Sequence, residues 1–396
     1  MCTEESIKLA PSNRVTSPTV GAPQPKGDIW WSNALGFLAA HFFVLLSWWY
    51  PAVSGWKTYT LLLFNWQVGM YGITIGYHRL WSHRSFTAST PLRIFLAGIG
   101  TLGFQGSIRW WVVRHRLHHR YTDTESDPYS AANGLFFSHV GWIFYKTKYP
   151  KLPLVQKEDL DSDPVVAFQH RYFLELVFLT CVALPTAMGH FWLDGAWEGL
   201  LYGGIIPRVM TWHCTFLINS MAHYIGRQEY TIEVTARGNL LLAMLTQGEG
   251  NHNFHHAFPS DYRNGFKSTD WDPTKWIIAL MHTFTSLVPS VHTTPDREVE
   301  RAKSRAIGRD NGQAERDLPR VDLSEVSALY EGKPVIVIQG FLYDVGEFAS
   351  RHPGGAALLE RGYGGKDLSG LFEKLNRHTL QARDLMMEMK IGQIIS

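Results

Sequence analysis

The sequence predicts a mainly helical membrane protein with a small α+β domain at its C-terminus. Three observations carry that prediction. Four long apolar runs, all but one free of charged residues, come in two tandem pairs, and histidines gather in short clusters outside them. Past about residue 295 the apolar runs stop and a charged stretch leads into a segment of soluble texture. The 396 residues hold 37 Lys plus Arg against 35 Asp plus Glu, a formal net charge of +2. That balance excludes a nucleic-acid binder working by bulk charge and an acidic disordered tail, so no nucleic-acid partner is expected. A hydrophobic share of 45% lies well above what disorder tolerates. Cys2, Cys181 and Cys214 are too few for a disulfide framework or a four-thiolate zinc site.

Taken in order, residues 1–28 form a polar tail without the apolar core and cleavage site of a secretory signal. A membrane domain follows over 29–295, with spans expected at about 33–50, 58–76, 176–193 and 199–218. Each approaches the roughly 20 residues that cross about 30 Å of hydrocarbon. Arg208, the one charge in the fourth run, must find a polar partner there, and a buried structural role is expected. Ile94–Ile108 is only 15 residues long and contains Gly98, Gly100, Gly103 and Gly106. It is read as a helix at the interface or dipping partly in, which leaves every histidine cluster on one face. Residues 109–171 carry nine Lys and Arg, whereas Pro51–Lys57 has one and residues 194–198 none. The excess places the clusters and both termini in the cytosol. Trp48, Trp49, Trp56, Trp192 and Trp197 near the span ends read as an interfacial belt. Residues 296–320 are a charged linker, helical or flexible, without an apolar stripe. Residues 321–396 then give a strand-like PVIVIQGFLYDV, a His-Pro-Gly-Gly turn and short helical patterns.

Of the 18 histidines, 13 fall between His78 and His256. Three segments stand out: His78-Arg-Leu-Trp-Ser-His83, His115-Arg-Leu-His118-His119 and His252-Asn-Phe-His255-His256. In the last two the i, i+3, i+4 spacing places three imidazoles on one helix face, where they can converge on a metal. Asn219 and His223, four apart beyond the fourth run, extend the set. Nine histidines are too many for one ion and suit two; imidazole takes iron, zinc or copper. His41, His139, His170, His190, His213, His282 and His292 lack partners at ligand spacing and read as packing or interfacial residues.

The boxes HRLWSH, HRLHH and HNFHH, with NSMAH at 219–223, GEGNHNFHH at 248–256 and FFSHVGW at 136–142, resemble the membrane acyl-CoA desaturases of the stearoyl-CoA delta-9 type. The resemblance runs from about Trp31 to Val291 and implies a four-span helical fold with a cytosolic helical cap. It implies a catalytic di-iron centre on His78, His83, His115, His118, His119, His223, His252, His255 and His256, with Asn219 reaching one iron through water. It also implies oxygen-dependent insertion of a cis double bond, at delta-9, into a saturated fatty acyl-CoA such as palmitoyl- or stearoyl-CoA. The expected location is the endoplasmic reticulum membrane, multi-pass, in the lipid bilayer. Lys146 and Lys148, after FFSHVGW, stand where the family contacts coenzyme A phosphates, with Arg109 and Arg114 as alternatives.

Tyr343-Asp-Val345 with His352-Pro-Gly-Gly355, and His378 in RHTLQARDL, resemble the cytochrome b5 core. Two imidazoles across a small apolar pocket hold a low-spin haem suited to electron transfer. The resemblance implies haem b ligated by His352 and His378 and electrons from NADH through a cytochrome b5 reductase, a fusion typical of fungal-type delta-9 enzymes. Two other classes use similar parts. A di-iron lipid hydroxylase would yield an alcohol in place of an alkene. A histidine-rich metal transporter or electron carrier would hold its ligands near the bilayer midplane, away from arginine-rich text.

Overall fold

The structure is a computed structural model; it describes residues 27–50, 52, 54–306, 318–375, 378 and 380–395. The tail up to residue 26, which includes Cys2, and residues 307–317 of the charged stretch lie outside the described residues. The described chain is mostly helical, with a four-stranded sheet confined to the C-terminal domain.

The four apolar runs become four helical segments. Helix α1 (Trp31–Leu46) is 16 residues, shorter than its apolar run. Helix α2 (Trp56–Tyr71) passes without a break into a π-helical segment, Gly72–Ser82. The third is Phe173–Trp192, which among the described residues is the one helix both long and apolar enough to cross a membrane. The fourth begins at Ala196–Glu198, winds as a π-helix through Gly199–Ile205 and continues as Ile206–Asn219. The five tryptophans of the expected belt are all exposed at the ends of these helices opposite the histidine boxes.

Helix α3 (Thr90–Thr101) packs against α2 and the π-helical segment that continues it. Gly100 and, just past the helix end, Gly103 lie at this packing face, whereas Gly98 is exposed. A side chain on Gly72 would fall inside the Gly100 backbone, and one on Gly103 would strike Ile73. Small residues let two helices approach where lipid offers no hydrophobic drive to join them. The opposite edge of α3 stays apolar and open at Ile94 and Phe95.

Arg208 is buried at 3% exposure, as expected. Its Nη1 donates to the Gly203 and Gly204 carbonyls at 3.0 and 3.1 Å, in the stretch where π-winding disturbs the ordinary ladder.

Helix α4 (Ile108–Tyr121) starts at Ser107, whose Oγ accepts from Trp110 N. It carries the second histidine box back under the π-helical end of α2. Arg116 fastens the two, donating to the Trp81 carbonyl at 2.6 Å, the Ser82 carbonyl at 3.0 Å and Asp159 at 2.7 Å. Short helix α5 (Leu135–His139) leads to strand β2 (Tyr145–Thr147), which pairs antiparallel with β1 (Gly27–Ile29), two residues of which belong to the stretch read as tail.

The strongest tie in the body is Arg79, 1% exposed inside the first box. Its guanidinium donates to Glu249 at 3.1 Å, to Asp272 at 2.8 and 3.1 Å and to the Tyr262 carbonyl at 2.7 Å. It joins the first box, the third box and the N-cap of helix Pro273–Phe284.

Helix Asp296–Ala306 corrects one expectation for the charged stretch. It buries Val299 and Ala302 against Tyr230, Phe254 and Phe258, an apolar stripe of two residues too narrow to stand out among charges.

In the C-terminal domain, β3 (Arg320–Asp322), β4 (Val335–Ile338), β5 (Phe341–Asp344) and β6 (Lys390–Ile395) are ordered β3-β6-β5-β4. Gln339 and Gly340, both at positive φ, make the two-residue hairpin between β4 and β5. All four β4 residues are apolar because both faces are covered: Ile336 and Ile338 face one cluster, Val335 and Val337 another.

Two outcomes follow. Gly72→Val should cost about 1–3 kcal/mol by overpacking the α2–α3 crossing, read as a lower thermal midpoint in detergent. Arg79→Leu should cost about 3–5 kcal/mol, because Glu249 and Asp272 are left buried without their cation, and folded yield should fall with it.

Candidate metal centre

The three boxes meet. All nine histidines fall into two groups, His78, His83, His115, His119 and His255 in one, His118, His223, His252 and His256 in the other. Within each group one ring nitrogen per residue lies within 4.8 Å of all the others. Asn219 is the last residue of the helix Ile206–Asn219.

Local winding explains the division. An α-helix turns about 100° per residue, so i and i+4 stand about 40° apart, while i+3 sits about 60° to the other side. His115 and His119 of α4 therefore share one group and His118 enters the second. Helix His252–Ala257 does the reverse, giving His252 and His256 to the second group and His255 to the first. The spacing thus divides the imidazoles between two groups rather than bringing them to one. His78 and His83 are five apart, which on an α-helix would leave them about 140° apart. The π-helical winding of Gly72–Ser82, closed by His83 N donating to the His78 carbonyl at 3.1 Å, brings them to one side.

In the first group the Nε2 atoms of His78 and His255, His83 and His115, and His255 and His119 lie 3.0, 2.8 and 3.0 Å apart. In the second, His252 faces His223 at 3.2 Å and His256 at 3.1 Å. Metal–imidazole bonds of about 2.1 Å at right angles place neighbouring nitrogens about 3.0 Å apart, so the spacing is that of a coordination sphere.

Burial, then repulsion among neighbouring rings, holds His83, His115, His119, His252, His255 and His256 well below the usual imidazole range. Burial likewise lowers His223 to about 4 against the opposing pull of Asp123. Neutral rings present lone pairs, the form a metal needs. Outer contacts fix which nitrogen is free. His118 Nδ1 bonds Asp127 at 2.9 Å and His223 Nδ1 bonds Thr235 Oγ1 at 2.8 Å, leaving each Nε2 to face inward. His78 Nδ1 lies 2.8 Å from Glu249, at ion-pair distance but out of hydrogen-bond alignment. The residues present fit two metal ions. Sequence reading missed Glu249, Asp127, Asp123 and Thr235. The available signal was an acidic residue inside or just after a histidine box.

The second predicted site also assembles. His352 and His378 line one cavity with Ile336, Val345, Leu359 and Phe372. His352 Nδ1 donates to the Gly355 carbonyl at 3.0 Å, which leaves Nε2 as the nitrogen that could ligate a metal. The His378 ring stacks on Phe372 at 3.9 Å. Gly355, at φ 91, closes the turn, and a side chain there would also strike Gln156 of the helical body. Two imidazoles in an apolar cleft fit a haem. The same cavity continues to His83, His119 and His256 of the metal centre. Arg301 and Glu388 form an ion pair across the junction.

Lys146 and Lys148 are exposed on and just after β2. The alternatives are engaged: Arg109 pairs with Asp161 at 2.6 Å, and Arg114 lies over the Trp110 ring at 3.9 Å. Of the histidines read as packing residues, His41, His213 and His139 touch one another. His41 Nε2 meets His213 Nε2 at 2.9 Å, and His213 Nδ1 meets His139 Nε2 at 3.0 Å.

Comparison with known proteins agrees with this geometry. Residues 47–265 match the fatty acid desaturase family, and residues 322–395 match the cytochrome b5-like haem/steroid binding domain. The chain is 38% identical to acyl-CoA desaturase 1 of Saccharomyces cerevisiae, over 87% of this chain and 71% of that protein. It is 37% identical to a probable acyl-CoA desaturase of Schizosaccharomyces pombe, over 85% and 72%. It is also 37% identical to stearoyl-CoA desaturase 5 of Bos taurus, over 66% and 79%. With three histidine boxes closed into two metal-binding groups and a haem-type cleft opening onto them, the chain belongs to the fatty acid desaturase family and ends in a cytochrome b5-like domain.

Proposed function

We propose that this protein is an oxygen-dependent acyl-CoA desaturase that places a cis double bond, at delta-9, in a saturated fatty acyl-CoA such as palmitoyl- or stearoyl-CoA. The observation that carries the reading is the pair of largely buried imidazole groups, five and four strong, sharing a cavity wall with His352 and His378. Iron bound at the two groups would supply the oxygen activation that removal of unactivated C–H hydrogens requires. The nine histidines are the proposed ligands, and Asn219, the last residue of its helix, is proposed to reach one iron through water.

Taking two hydrogens from the acyl chain and reducing dioxygen to two waters needs two electrons and two protons from elsewhere. We assign their electron entry to the C-terminal domain, with haem b held by His352 and His378 and NADH as the source through a cytochrome b5 reductase. Residues 296–306 pack on the body and the following stretch tethers the domain, so the donor is held at high effective concentration.

The membrane reading is of four spans over the four helical segments, both termini cytosolic, in the endoplasmic reticulum. The broad apolar exposure of α1 at Leu35, Leu38, Phe42 and Leu45 supports it, as do Leu240, Leu241 and Met244 at the rim of the histidine-bearing side. We propose domain bounds of 29–295 for the membrane unit and 321–396 for the haem unit. Lys146 and Lys148 are the proposed coenzyme A phosphate contacts.

His119→Ala should abolish product in a desaturase-deficient host while membrane insertion persists; gas chromatography of the lipids reads alkene against alcohol. His352→Ala should lose haem absorbance and desaturation in a host lacking free cytochrome b5, keep its iron, and recover part of its activity when cytochrome b5 is added. Charge reversal at Lys146 and Lys148 should raise the apparent KM for acyl-CoA several-fold with kcat little changed, measured on the purified protein.

A further inference from the structure

The loop after α4 does more than connect. Asp123 stands at φ 63, a left-handed conformation that few residues other than Gly, Asn and Asp accept. The turn lets its amide donate to Asp127 Oδ2 at 3.0 Å, while its carboxylate faces the other way and accepts from Thr235 N and Thr235 Oγ1, both at 2.7 Å. Thr235 Oγ1, having given its proton to Asp123, can only accept from His223 Nδ1. Asp127 Oδ1 takes the Nδ1 proton of His118 and is itself braced by Tyr129 N at 3.1 Å. Two ligands from separate helices therefore have their tautomer set by one loop. Both belong to the four-histidine group; no contact in this chain of bonds reaches a member of the five-histidine group.

We propose that Asp127, Asp123 and Thr235 are positioning residues that set the metal affinity of the four-histidine site selectively. The assignment rests on the two-iron reading of the centre. Removing such an outer partner weakens metal binding about 10- to 100-fold. Here the loss should fall on one ion of the two.

The test uses the full-length protein in detergent, loaded with 57Fe. Wild type, Asp127→Asn, Asp123→Asn and Thr235→Val are each titrated with an iron chelator, with iron per chain and Mössbauer spectra followed. Haem absorbance and a monodisperse elution profile confirm folding. In each variant one iron should leave at about 10- to 100-fold lower chelator concentration than in wild type. One spectral component should fade with it, the same one throughout, while the other iron is held as in wild type. Should the aspartate variants fail to fold, Thr235→Val, nearly isosteric and neutral, decides alone. Parallel loss of both irons, or unchanged retention of both, would overturn the proposal. A wild-type chain that holds no iron beyond that of its haem would overturn the two-iron reading itself, which the same titration separates from failure of the loop assignment.

Discussion

The meeting of the first and third histidine boxes turns on the buried guanidinium of Arg79. Two boxes more than 170 residues apart in sequence must meet to within a hydrogen bond, as His78 and His255 do at 3.0 Å. Arg79, next to His78, binds Glu249 three residues before His252, and both bind into the same pocket as Asp272. Burial alone would push Glu249 towards the neutral acid; His78 and Arg79 together outweigh it and keep its carboxyl below the usual range. The ion pairs are therefore worth little as net stability against an apolar alternative, but they fix register, since any displaced partner would be a bare charge in a dry interior. The role is one of placement, and the histidines inherit it.

Much of this was legible in the sequence, for a physical reason. Imidazole donors repeated at helical spacing are a local signal that a sequence displays directly. The nine candidate ligands could be named from spacing together with family resemblance. Their division between two ions could not, because it depends on how helices α4 and His252–Ala257 are rotated about their own axes, and tertiary packing sets that angle. The π-helical winding that reconciles the five-residue gap from His78 to His83 was equally hidden. The π-helical segment packs closely on Gly100 of α3, a tertiary contact that no local propensity announces.

The C-terminal domain was read with similar success because His-Pro-Gly-Gly and alternating strand residues are local signals. What escaped was its seat. Gln156, which abuts Gly355, also accepts from Arg84, the residue following His83. A polar side chain in an unremarkable loop thus touches both modules. Contacts of this kind leave no periodicity, since each surface contributes only one or two residues from scattered positions.

His41, His213 and His139 show the limit of counting imidazoles from the other side. Sequence spacing gave them no partner, yet they stand as close together as the ligands do. The difference lies in which nitrogens are used. His213 meets His41 through Nε2 and His139 through Nδ1, so its two neighbours lie on opposite edges of its ring. His41 Nδ1 is taken by the Phe37 carbonyl and His139 Nδ1 by Ser220 Oγ. Three rings so joined form a string whose donors point along it, and no single ion could draw one nitrogen from each without breaking these bonds. In the four-histidine group the outer nitrogens of His118 and His223 bond outward and the inner ones converge. The chemistry of a histidine cluster is thus decided by the partners of its second nitrogen, a property of the fold that residue spacing does not encode.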